Sequence, residues 1–145
     1  LGGDKTLASY GVKIDETSRY YQVHAAARTA VPAEHLAFLN ALPLHYETDD
    51  YIFVHAGIRP DVALAAQTER DLLWIREPFL SHSAPRAKMI IHGHTALEAP
   101  QLYSNRLNLD GGAGYGRPLT PVVIDNKQIF CLGAHGRVLL EQSAL

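Results

Sequence analysis

A single cysteine, Cys131, is all the thiol this chain carries, so no disulfide can form within it. That excludes the disulfide-stapled scaffolds of small secreted domains and suits a reducing compartment, with the cytoplasm as the expected location. Surplus positive charge is also missing. Lys and Arg number 13 against 15 Asp and Glu, for a net charge of −2, and no basic run could track a phosphate backbone. Nucleic acid is therefore not an expected partner. No apolar run reaches the roughly 18 residues of a membrane helix, so a membrane partner is not expected either. Two catalytic signatures are absent as well. There is no Gly-x-Ser-x-Gly, and the glycine-dense "GGAGYG" lacks the Gly-Lys-Ser/Thr of a phosphate-cradling P-loop.

What remains is an ordinary globular composition. The 145 residues are 47% hydrophobic and 19% charged, enough for a domain with its own core. With no linker, repeat or low-complexity tract, residues 1–145 read as one domain of α/β or α+β type with a strand-rich end. The opening "LGGDKTLASYG" has no Met, signal peptide or polar tail, and reads as the middle of a longer sequence.

Local patterns place the elements. Residues 1–12 read as glycine-rich and irregular, followed by a mixed segment to about Ala30. "VPAEHLAFLNALP" predicts a helix, with Pro32 in its first turn, Leu36, Phe38 and Leu39 as an apolar face, and Pro43 as its end. "LHYETDDYIFVHAG" predicts a hairpin whose β-prone runs flank Asp49–Asp50. "QTERDLLWIREPFL" predicts a second helix, capped by Thr68 and stopped by Pro78. "KMIIHGH" is short and apolar enough for a buried strand. Beyond it, "QLYS", "RLNLD", "LTPVVID", "QIFCLG" and "RVLLE" read as strands separated by turn signals, with a hairpin at Asp125–Asn126. Cys131, inside one of these runs, reads as a small core residue rather than a nucleophile.

Of the eight histidines, His24, His35, His45, His82 and His135 lack partners at ligand spacing and read as surface or structural residues. His55 and His94 differ. Each ends an apolar strand pattern next to glycine, in "YIFVHAG" and "IIHGHT". In α/β folds the loops beyond the strand ends form the functional crevice, and neutral imidazole is a common metal ligand. The pattern suits a shared metal ion; a pair of structural histidines is the plainer alternative. His92 would share a strand face with His94, either orienting it or ending the strand as a satisfied polar residue.

Arg76 stands in the apolar setting "LLWIREPF". Its guanidinium could grip a phosphate bidentately, or pair with Glu77 or Asp71, or stack on Trp74. Tyr115, among the glycines of "NLDGGAGYGRP", could line a site or simply stand in a solvated loop.

Taken in order, "GGDKTLASYG", "YIFVHAGIRP", "DLLWIREPFL", "IIHGHT" and "NRLNLDGGAGYGRPLTPVVID" resemble the C-terminal portion of bacterial PPP-type serine/threonine phosphoprotein phosphatases. These belong to the calcineurin-like metallophosphoesterases and are related to the diadenosine tetraphosphatases. The likeness runs from about Gly2 to Asp125. It implies an αββα sandwich, incomplete here, and a centre of two divalent ions, manganese or iron. In that centre water is activated for direct attack on phosphorus. His55 and His94 fall on ligand positions for one ion, Arg76 on a phosphate-gripping arginine that serves both substrate binding and catalysis, and Tyr115 near a site-lining aromatic position.

"LDGGAG" departs from the commoner Asp-Thr-Gly-Ala, so the resemblance assigns Asp110 no role. The Gly-Asp-x-His-Gly, Gly-Asp-x-x-Asp-Arg-Gly and Gly-Asn-His-Glu segments that supply the remaining ligands are absent from this sequence. The implied parent is a phosphatase for phosphoproteins or small phosphate esters, and the chain alone is expected to be inactive. Dinucleoside polyphosphate cleavage and a non-catalytic binding module with the same fold are the alternatives. Missing strands would expose a sheet edge and part of the core, so self-association is a further expectation.

Overall fold

The structure, a computed structural model, describes residues 2–143. They form two compact units, the first ending at Leu42 and the second beginning at Pro43.

The first unit is helical: α1 (Gly3–Ser9), α2 (Tyr20–Ala30) and α3 (Ala33–Ala41). The first two overturn the reading of residues 1–30 as irregular and mixed. Two glycines obscured α1, although the backbone turns tightly there with Gly2 in the left-handed region at φ 77°. For α2 the signal was present in "HAAARTA", a run of strong helix formers, and in a start at "DETSRYYQ". There the Asp15 carboxylate accepts from the Thr17 N–H and hydroxyl and the Ser18 hydroxyl. The Gln22 side chain then accepts from the Arg19 N–H and ties down the first turn. The third helix begins after Pro32 as expected, but Leu36, Phe38 and Leu39 are all exposed rather than packed.

The second unit holds the sheets. A five-stranded mixed sheet runs β1 (His45–Glu47), β2 (Tyr51–Val54), β3 (Met89–His92), β5 (Arg106–Asn108), β4 (Gln101–Leu102). The central neighbours β2, β3 and β5 are parallel, and the edge strands β1 and β4 are antiparallel to them. A second, antiparallel sheet joins β6 (Val122–Asp125), β7 (Gln128–Gly133) and β8 (Gly136–Leu139). The hairpin between β6 and β7 turns on Asn126 and Lys127, both at positive φ, which matches the right-handed twist of the flanking strands. The mixed α/β class and every expected strand are present.

Period-two alternation sorts the central strands into two faces. Phe53, Ile91 and Leu107 are register partners across β2, β3 and β5, and they pack with Ile129, Val122 and Ile124 of the second sheet. Ile52 and Ile90 point the other way. With Val54 they pack against Leu72 of α4 (Glu69–Trp74) and against Ile75 and Phe79 beyond it. One face of the mixed sheet is thus covered by a second sheet and the other by a short helix and its following loop.

That helix starts as expected, with the Thr68 side chain accepting from the Asp71 N–H. It stops at Trp74, four residues before Pro78. Ile75 is already extended and buried in the core, so burial of its side chain ends the helix before proline does. Arg76 consequently lies outside the helix.

Candidate functional site

The parallel strands β2, β3 and β5 all end at the same edge, where His55, His94 and Asp110 follow them in sequence. A backbone hydrogen bond from Gly93 N–H to the His55 carbonyl, 2.9 Å, holds the ends of β2 and β3 together. It brings His55 Nε2 to 3.1 Å from His94 Nδ1, with the ring centroids 5.0 Å apart. Residues 39 positions apart in sequence are thereby placed in contact.

His94 sits at φ 65°, a left-handed conformation uncommon for a residue with a side chain. Its loop is fastened on several sides. Thr95 N–H donates to Gly93 O, Leu97 N–H to Asp110 O, and the buried Asn108 amide to Thr95 O at 2.8 Å. The strained turn directs the imidazole to His55. It also cancels the expectation that His92 and His94 share a strand face, because β3 ends at His92.

His92 turns instead into the core, its ring edge-on to Phe79 at 4.9 Å. Its Nδ1 donates to the Gly93 carbonyl, and its Nε2 is buried without a partner. Burial, reinforced by the field of Arg106, holds its pKa down at about 4, so it stays neutral and structural. Gly57 belongs to the same packing. A Cβ there would enter the Phe79 ring, so the space beside this glycine belongs to a core side chain.

The pKa of His94 is lowered by burial first, then by His55 and Arg76, with Asp110 opposing. The 3.1 Å contact is a hydrogen bond between the two rings, one nitrogen donating and the other accepting, which an ion held between them would displace. Two nitrogens bound at about 2.0–2.1 Å to one zinc-sized ion lie roughly 3–3.4 Å apart, so the observed pair has the spacing of adjacent ligands. Among the described residues no group of three His, Cys, Asp or Glu side chains converges on one point. The two imidazoles supply two nitrogens, with no third such side chain beside them among the described residues.

Arg76 is exposed, and the partners that could have occupied it are engaged elsewhere. Asp71 takes both Nε and Nη2 of Arg59, the latter at 2.6 Å, and Glu77 accepts from the Ser81 hydroxyl and N–H. Arg76 has no carboxylate partner among the described residues. Tyr115 lies in a short 3₁₀ turn (Ala113–Tyr115) with its side chain 82% exposed.

Two residues of the site were not singled out from sequence. Trp74 packs edge-on to His94 at 5.7 Å while remaining 55% exposed. Its signal was its place in "LLWIR", where Leu72 and Ile75 supply the buried face and Trp74 falls off it. Asn108 is the other, a buried amide at the end of a wholly buried strand and hence a group with a required partner.

The chain matches no protein-family model, and no curated protein matches it in sequence.

Proposed function

We propose that His55, His94 and Arg76 are one part of the site of a metal-dependent phosphoester hydrolase of the serine/threonine phosphoprotein phosphatase type. The observation that carries this reading is the pair of imidazole nitrogens 3.1 Å apart at the ends of two neighbouring parallel strands. An unpaired arginine on the adjoining loop adds to it, as does the match of all three positions to the motifs that resemble that family. Two stacked sheets with a helix on an outer face agree with an αββα sandwich.

A divalent ion held by such a pair would make water a nucleophile near neutral pH and polarise a phosphoryl oxygen. The chain's own contributions are separate. His55 and His94 offer nitrogen donors at a spacing set by the Gly93–His55 backbone bond. Burial disfavours protonation of His94. Arg76 offers a planar fork for two equatorial phosphate oxygens, neutralising charge that grows as phosphorus is attacked. Two imidazoles do not complete a two-metal centre, so hydrolysis by these 145 residues alone is expected to be negligible.

Manganese titration by calorimetry tests the reading, with a His55→Ala/His94→Ala double variant beside the parent. Binding to the parent and its loss in the double variant are expected. Arg76→Ala should keep the metal while weakening inorganic phosphate by about 10- to 100-fold, the cost of a charge-assisted hydrogen bond. Equal metal binding by parent and double variant would sink the proposal.

A further inference from the structure

Arginine is among the residues least expected inside a wholly buried strand, yet Arg106 of β5 is only 4% exposed. It has no salt-bridge partner among the described residues. The carboxylate whose field reaches it, Glu77, is hydrogen-bonded to Ser81 instead. Its Nε is buried without a partner. A buried cation left short of partners is costly, so its place needs a reason.

What Arg106 does hold is one segment of chain. Its guanidinium lies over the Tyr103 ring, 3.7 Å from the centroid, and Nη2 donates to the Leu80 carbonyl at 3.0 Å. The Leu80 N–H in turn donates to the Arg76 carbonyl at 2.9 Å. Asn105, the preceding residue and also buried, gives its amide to the His82 and Ala84 carbonyls at 2.6 and 3.1 Å. Two adjacent side chains at the start of β5 thus fasten the carbonyls of Leu80, His82 and Ala84. These lie in the connection from α4 to β3, residues 75–88, which contains no regular helix or strand. Without a backbone ladder of its own, such a connection is mobile unless side chains fix it. Arg76 is carried on it.

We propose that Arg106 is a positioning residue: through Leu80 it fixes the backbone at Arg76, and so pre-orients the arginine that takes a phosphate group. The assignment rests on the phosphate reading of Arg76 above and needs no contact between Arg76 and the histidines. A guanidinium fork grips two oxygens only when its stem is aimed, and ordering a long side chain at the moment of binding costs affinity. Fixing its backbone beforehand removes part of that cost. Phosphate affinity then depends on a buried residue that does not touch the anion.

Arg106→Met keeps the length of the side chain and removes its charge and donors. Replacing a buried, poorly partnered charge by an apolar group is often neutral or stabilising, so the variant should fold, which a urea melt confirms. Arg106→Gln is run beside it as a polar replacement. Inorganic phosphate is titrated by calorimetry into the full chain with manganese present, and manganese is titrated separately. Both variants should bind phosphate about 2- to 10-fold more weakly, the usual cost of ordering one long side chain, with manganese affinity unchanged. On an Arg76→Ala background the same substitutions should weaken phosphate no further. Parent-like phosphate affinity in both variants, a manganese loss that matches the phosphate loss, or a phosphate loss that persists undiminished without Arg76 overturns the assignment and leaves the phosphate reading intact. A parent that binds no phosphate, or an Arg76→Ala protein that binds it as the parent does, overturns both.

Discussion

Substituting Gly57 by alanine tests how the core beneath the histidine pair is built. The added Cβ would fall inside the ring of Phe79, which is fully buried and already packed edge-on to His92. The backbone at Gly57 has φ 153°, which L side chains rarely adopt. Overpacking in a dense core costs about 1–3 kcal/mol, and an unfavourable backbone region adds about 1–3 kcal/mol. The sum is about 2–6 kcal/mol, a large share of the roughly 5–15 kcal/mol that holds a domain folded. In urea, with a slope of about 2 kcal/mol/M, that lowers the midpoint by about 1–3 M. Gly114→Ala is the internal control, since nothing lies within 4 Å of its Cβ position and it has no positive φ. It should stay within about 0.5 kcal/mol of the parent. Phe79→Leu should relieve part of the Gly57→Ala penalty, making the double variant more stable than the sum of the singles. A Gly57→Ala protein with the parent's midpoint, or strict additivity with Phe79→Leu, would show that the ring does not occupy the glycine's space.

Further perturbations follow from the same packing. His92 has a folded pKa of about 4 because its buried ring resists protonation. Its contribution is therefore fully present above the unfolded value of about 6.5 and is lost as pH falls from there to about 4, by about 3 kcal/mol in all. Urea melts at pH 7, 5.5 and 4 should show the loss, and His92→Gln should flatten that window; a parent midpoint constant from pH 7 to 4 would contradict the buried neutral ring. Asp71 acts lower on the scale. Its carboxyl is held below its ordinary value chiefly by the Arg59 hydrogen bond and then by Thr68, so its contribution is present above about pH 4 and fades as pH drops further. Thr68→Ala removes both the helix cap and a 2.7 Å bond to Asp71, and should cost about 1–2 kcal/mol in a denaturant melt. Unchanged stability there would mean that α4 is held by core packing alone.

The two-residue periodicity that defines strands is written directly into a chain, and here every expected strand is present. "YIFV" and "MIIH" run apolar because each side of the mixed sheet is buried against something different, and "QIFCLG" belongs to the second sheet that covers one of those sides. Helices are written less plainly. Helices α1, α2 and α3 all bury no residue, and α3 was legible because Pro32 marks its start, a signal that α1 and α2 lack. The end of α4 was misplaced for a related reason: proline is a visible stop, whereas burial of Ile75 is a tertiary event.

His55 and His94 could be chosen from sequence because both follow apolar strands next to glycine. That much depended on local pattern alone. Their contact depended on the parallel pairing of β2 with β3, the Gly93–His55 bond and the left-handed backbone of His94, none of which is encoded by spacing. The competing readings of Arg76 also stayed open until the tertiary structure showed Asp71 held by Arg59 and Glu77 by Ser81. Sequence by itself determined which residues had the chemistry to serve a site and which strands would deliver them. Only the fold decided which of them meet, because the distance between two side chains depends on pairing and packing partners far along the chain.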